Sequence, residues 1–173
     1  MSYTTSWIAS RGLDLAGLLD ALDLVQVEEP SLQDVFEAGA DILAFELDGW
    51  LVLVTSEDFL GRPEEVAAAS RGGEAISAYM DERVTVSGSH GAANGELTWS
   101  VRHASEFGVE HLEVRGTPPA ALSEIQEQQL QDQALEEDDR VDHVFEIPLR
   151  LVWEMCPFNP YTFDTEMECA VLG

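Results

Sequence analysis

The residue types in this chain that can do chemistry are histidine and carboxylate. The best-ordered setting for a histidine is NGELTWSVRHASEFGVEHLEVRG, Asn94 to Gly116. Leu97, Trp99, Val101 and His103 fall at every second position, so a strand here ends an apolar row on an ionisable ring. Imidazole titrates near neutrality, which makes His103 a candidate acid–base group, ligand or structural hydrogen bonder. Acid–base work needs a partner within hydrogen-bond reach, and the position alone supplies none. The expected role of His103 is therefore that of a core histidine bonded to nearby backbone. The four histidines, His90, His103, His111 and His143, are too scattered to name a metal site, and neither H-E-x-x-H nor paired C-x-x-C occurs. SGSHG (residues 87–91) lacks the spacing of a nucleophile elbow and is expected to be a loop between strands. Gly72 and Gly73 lack the lysine and the strand-then-helix order of a phosphate loop and read as a helix cap. With 34 acidic residues, pairs such as Glu28-Glu29 and Glu64-Glu65 arise freely and read as solvated faces. No catalytic residue, metal or cofactor is assigned.

Charge is the anomaly of the composition. Thirty-four acidic residues face eight basic ones, all arginine, for a net charge of -26. Such a field repels nucleic acid and anionic membrane surfaces and attracts basic proteins. Selection on solubility alone, as in a halophilic host, would also produce an acidic surface without lysine. The amino terminus MSYTTSWIAS has neither a basic nor an apolar signal region, and no apolar run approaches the roughly 18 residues that span a bilayer, so a cytoplasmic location is expected. Cys156 and Cys169 read as reduced thiols, the alternative being a mutual disulfide.

The elements that would position these groups follow from periodicity. SWIAS reads as a first strand. Leu15, Leu18, Leu19 and Leu22 make one stripe of a helix capped by Asp14, and Ser31, Asp34 and Gly39 mark a second short helix. Asp48-Gly49 between two apolar runs is a hairpin turn that pairs Leu47 with Trp50, Phe45 with Val52 and Leu43 with Val54. Both of its faces are apolar, which predicts a hairpin in the middle of the structure. Pro63 opens a helix closed by Gly72, and strands follow at about 75–80 and 83–87. In the next hairpin, pairing Val101 with Leu112 and Trp99 with Val114 buries those four, and sends Arg102, His111, Glu113 and Arg115 to the other face. Thr117 and Pro118 start a helix whose later turns are solvated and which ends in Glu136, Glu137, Asp138 and Asp139. A last helix from Pro148 carries Leu149, Val152, Trp153 and Cys156 on one side. Without strand–helix alternation, the expected fold is α+β over residues 1–173 as one domain: a mostly antiparallel sheet built from hairpins, with several packed helices.

Taken in order, GWLVLV, SRGGEAISAYMDERVTVS, NGELTWSVRHAS, HLEVRGTPP, the Gln-rich helix, VDHVFEIPLRL and YTFD resemble a family of small bacterial proteins with no established activity. Its members similarly carry a W-x-V-x-H strand, a strand leading to a G-x-x-P turn, and a V-D-x-x-F-x-x-P segment. In many of them an Asp follows the histidine where this chain has Ala104, which speaks against any His–Asp catalytic pair at this site.

These observations favour an acidic cytosolic binding protein, an immunity or inhibitor protein that neutralises a basic toxin or nuclease, without direct contact to nucleic acid or membrane. Its partner-binding residues would be Glu136, Glu137, Asp138 and Asp139, with Phe158 and Tyr161 of CPFNPYTF as exposed aromatic anchors. The alternatives are an enzyme working through His103 or His111, and a structural component of a phage or secretion system.

Overall fold

The computed structural model describes residues 4–24, 42–138 and 140–161. Seven strands form one antiparallel sheet: β1 (Thr4–Arg11), β2 (Leu43–Leu47), β3 (Trp50–Thr55), β4 (Glu74–Asp81), β5 (Val86–Ala93), β6 (Glu96–Ala104) and β7 (Glu113–Gly116). Their order across the sheet is β2-β3-β1-β4-β5-β6-β7. Four described helices accompany it: α1 (Leu15–Ala21), α2 (Pro63–Ala69), α3 (Ala121–Leu135) and α4 (Ile147–Met155). The fold is α+β, with helices packed on an antiparallel sheet.

Local chemistry accounts for most of these elements. The Asp14 carboxylate accepts the Gly17 N–H and starts α1. Asp48 and Gly49 both take positive φ, and the hairpin they turn pairs Leu47 with Trp50, Phe45 with Val52 and Leu43 with Val54. Of the two strands of this hairpin, expected in the middle of the structure, only β3 lies inside the sheet. β2 is an edge strand, because β1 comes to lie on the far side of β3 and leaves one side of β2 unpaired. The segment around Ser31, Asp34 and Gly39 lies outside the described residues.

Each face of the sheet carries a core. The larger gathers Trp7, Phe45, Trp50, Val52, Ile76, Trp99 and Val101 under α3 and α4; the smaller gathers Ile8, Leu18, Leu53, Leu60 and Val66 under α1 and α2. Hydroxyls from the strands tie the covering segments down: Ser10 donates to the Ala69 carbonyl and Ser87 to the Phe145 carbonyl.

Three expectations are corrected. Residues 87–91 are the middle of β5 and not a loop, because Gly88 and Gly91 serve close packing instead of turning the chain. The Tyr79 ring covers Gly88 and the Trp99 indole covers Gly91, where a Cβ would collide with either ring. The β6–β7 register pairs Val101 with Val114 and Trp99 with Gly116, two residues from the expected pairing. A slip of two keeps every side chain on its predicted face, since side chains alternate with period two. Trp99 and Val101 are buried as expected, whereas Val114 stays exposed on the edge strand. Opposite the Gly91/Ala92 step, Thr98 is an extra residue, so Leu97 pairs with Ala92, leaves the apolar row and is exposed. Finally, α3 starts at Ala121, because the Thr117 N–H is held in the sheet by the Thr98 carbonyl and Pro118-Pro119 form an extended approach.

Candidate functional site

His103 closes the row Trp99, Val101, His103 on the larger-core face of β6 and is fully buried. After β6 the chain makes a short 3₁₀ turn, Ser105–Phe107, and returns so that the His111 carbonyl lies 2.7 Å from His103 Nδ1. The same return places His111 Nδ1 to accept the Ala104 N–H at 3.1 Å. On the other side of the ring, Asp142 Oδ2 lies 2.9 Å from Nε2. Asp142 Oδ1 accepts the Phe145 N–H at 3.0 Å and so caps the 3₁₀ turn Val144–Glu146. The Phe145 ring meets His103 edge-on at 6.4 Å. The W-x-V-x-H strand and the V-D-x-x-F-x-x-P segment therefore meet through their polar residues, and the carboxylate comes from 39 positions downstream of the histidine.

The hydrogen-bond inventory fixes what this pair can do. A carbonyl only accepts, so Nδ1 carries a proton. Nε2 and Asp142 share a further one, either on the ring facing a carboxylate or on a carboxyl facing a neutral ring. Both nitrogens are spent, and no face of the imidazole reaches solvent. A general base must present one free nitrogen to its substrate, so this geometry makes His103 a staple between β6, the returning loop and the chain leading into α4. His111 spends Nδ1 on the backbone and packs its ring against Phe107 at 5.2 Å, with no carboxylate among the described residues bonded to it.

A second buried histidine, His90, stacks on Tyr79 at 6.0 Å. Burial pushes its pKa down to about 4, a shift that Glu64 only partly opposes, so its ring is neutral at physiological pH. Arg102 is half-buried near the Tyr79 phenol, while Arg115 is exposed and paired with Glu113. Among the described residues, no group of three metal-ligating side chains converges.

The acidic run does not form a free helix end. α3 stops at Leu135, and Glu136 turns inward: its Oε1 accepts the Glu137 and Asp138 N–H groups and its Oε2 lies 3.1 Å from His143 Nε2. The Asp138 N–H, then His143, hold the Glu136 carboxyl below its usual range. Asp138 is held low by the Arg140 guanidinium, 2.7 Å away. Gln133 accepts the His143 N–H and donates to the Val141 carbonyl. Gln133 and Glu136 thus fix both residues flanking Asp142. These acids strap the Asp142 segment in place; Glu137 is the exposed one among those described, and Asp139 lies outside the described residues.

Phe158 is not an exposed anchor. It is buried in the larger core, edge-on to Trp7 at 5.7 Å and beside Phe45 at 5.3 Å, because Pro157 turns the chain back over the sheet. Tyr161 is exposed and its hydroxyl donates to Glu82 at 2.8 Å. That bond leads to a surface not anticipated from the sequence. The β4–β5 turn and the β6–β7 loop lie side by side, linked by the Ser105 N–H to the Thr85 carbonyl at 3.1 Å. They expose Val84 (59%), Phe107 (65%) and Val109 (43%) among the exposed carboxylates Glu82, Glu106 and Glu110. The available signal was Phe107 and Val109 at the tip of a hairpin loop, flanked by Glu106 and Glu110.

Fold and geometry define an α+β protein with a buried histidine–aspartate staple and an acidic, apolar-studded sheet end. No family model, curated protein or solved structure gives a significant match to this chain. No described helix is long and apolar enough to cross a membrane.

Proposed function

We propose that the protein works by binding a basic protein partner, as an immunity or inhibitor protein that masks a toxin or nuclease, and not by turning over a substrate. The observation that carries this reading is the sheet end, where Val84, Phe107 and Val109 stand exposed on two adjacent loops that also carry the exposed Glu82, Glu106 and Glu110. Large apolar side chains within a polar rim are the composition of a binding patch. The charge of -26 supplies complementarity to a basic surface and steers encounter toward association rates of about 10⁸ M⁻¹s⁻¹ at low salt. Affinity then rests on the apolar anchors, of which Phe107 is the largest and most exposed. The acid–base reading through His103 loses support from the same geometry, since both ring nitrogens are spent inside the core.

The test is capture of the partner from the native host, followed by titration of wild type and Phe107→Ser at low and high salt. The expected result is a basic partner, an association rate that falls with salt, and at least about a tenfold loss of affinity in the variant with its melting temperature kept. Capture of a neutral or acidic partner, or unchanged affinity in Phe107→Ser, would refute the proposal.

A further inference from the structure

A cavity of about 560 Å³ runs between α3 and α4, away from the sheet end, and two of its lining residues hold buried polar atoms that no described residue satisfies. Gln129 is almost fully buried on α3, and its Oε1 has no hydrogen-bond donor. Trp153 on α4 has an indole N–H with no acceptor. An orphaned buried group destabilises a fold, and satisfied partners are the rule in native proteins, so such an atom calls for a cause. Here the two are opposite in sense, one acceptor and one donor on a single cavity. A carboxamide answers both at once: its N–H donates to Gln129 Oε1 and its C=O accepts from Trp153 Nε1–H. Glu124 and Glu154 stand at the rim, and the one cation there, Arg150, is already paired with Glu146 at 2.7 Å. The unpaired charge at the rim is therefore negative.

We propose that this cavity binds a carboxamide that carries a positive charge beside it, the chemistry of an arginine or lysine amide, free or within a basic peptide. The site is independent of the sheet end and of the function proposed for it. Ile125 and the Trp153 ring supply the apolar wall against which the ligand's methylenes pack. Gln129 Oε1 and Trp153 Nε1 lie just beneath the cavity lining, so the amide reaches them as the side chains above them shift aside.

The probes are N-acetylargininamide, N-acetylglycinamide, the tripeptide amide acetyl-Gly-Arg-Gly-NH₂, and agmatine, which has the cation but no carboxamide. They are titrated into the ¹⁵N-labelled protein while the Trp153 indole N–H and the Ile125 methyl resonances are followed. Both arginine amides should move these resonances to saturation at about millimolar concentration, the scale set by ligands of this size. N-acetylglycinamide should need roughly tenfold more at low salt, and agmatine should leave the indole resonance in place. A preference between the free amide and the tripeptide identifies the source of the ligand. Gln129→Met removes the acceptor at similar volume and should abolish saturation while keeping or raising the melting temperature. Trp153→Phe, followed at Ile125, removes the donor alone and should weaken binding at least about fivefold. Agmatine matching N-acetylargininamide, no saturable shift with any amide, or a Gln129→Met protein that still saturates would overturn the proposal and leave the cavity to water.

Discussion

Replacing Asp142 separates a hydrogen-bonding role from a charge role at the buried histidine. In Asp142→Ala, two buried groups lose their partners: His103 Nε2, which faces the carboxyl at 2.9 Å, and the Phe145 N–H that Oδ1 receives at 3.0 Å. Each orphaned group costs about 1 to 3 kcal/mol, so the variant should lose roughly 2 to 6 kcal/mol, a large part of the stability of a typical domain. In Asp142→Asn the amide oxygen keeps the Phe145 N–H, while the amide nitrogen donates to Nε2 of a ring whose proton sits on Nδ1 against the His111 carbonyl. Every bond survives, and the cost should stay below about 1 kcal/mol. Urea unfolding followed by tryptophan fluorescence reads the difference. With a slope of about 2 kcal/mol per molar, Asp142→Ala should move the midpoint down by about 1 to 3 M and Asp142→Asn by less than about 0.5 M. Equal losses in the two variants would mean that the carboxylate charge, and not its geometry, holds the ring. A negligible loss in Asp142→Ala would mean that the staple does not form.

The same assay separates the two faces of β6: Trp99→Ala, at a buried position, should cost about 3 to 5 kcal/mol, and Arg102→Ala, at a half-buried position near Tyr79, about 0.5 to 1.5. Gly91→Ala drives a Cβ into the Trp99 indole and should cost about 1 to 3 kcal/mol, with near-ultraviolet circular dichroism reporting the displaced ring. His90 predicts a pH dependence. Its ring titrates at about 4 in the fold against 6.5 ordinarily, so between these values the unfolded chain binds more protons and stability falls as pH drops. From pH 7 to pH 5 the loss from this group is about 2 kcal/mol. Comparison with His90→Gln isolates it from the titrating carboxylates, and parallel stability curves for the two proteins would refute it.

Much of the fold was legible in short-range chemistry. Asp48-Gly49 set the register of its hairpin because a type I′ turn admits few residues, and Asp14 marked the start of α1 because few side chains cap a helix. What the periodicity could not reveal was long-range. β1 pairs with β3 and β4 across dozens of residues, and that pairing moved the first hairpin to the edge of the sheet. Gly88 and Gly91 read as loop residues because glycine is ambiguous between turning the chain and admitting a ring from the next strand, and only the facing strand decides.

The candidate site divides along the same line. The inward face of His103 follows from alternation alone, but its partner does not, because Asp142 reaches it only after α3 has crossed the larger core and the chain has turned back. The acids after that helix looked like a solvated tail for the same reason. Gln133 and Glu136 are polar residues at the end of a polar helix, and nothing in their spacing shows that they clamp Val141 and His143. A carboxylate held by backbone N–H groups and a histidine has little capacity left for a partner. The charge available for recognition therefore lies with exposed carboxylates that have no bond to another described residue, and Glu106 and Glu110 at the sheet end meet that condition where Glu136 and Asp138 do not. Glu106→Gln with Glu110→Gln should accordingly slow association with a basic partner several-fold at low salt, while Asp138→Asn changes it little; the opposite ranking in a salt-dependent rate measurement would return the recognition surface to the end of α3.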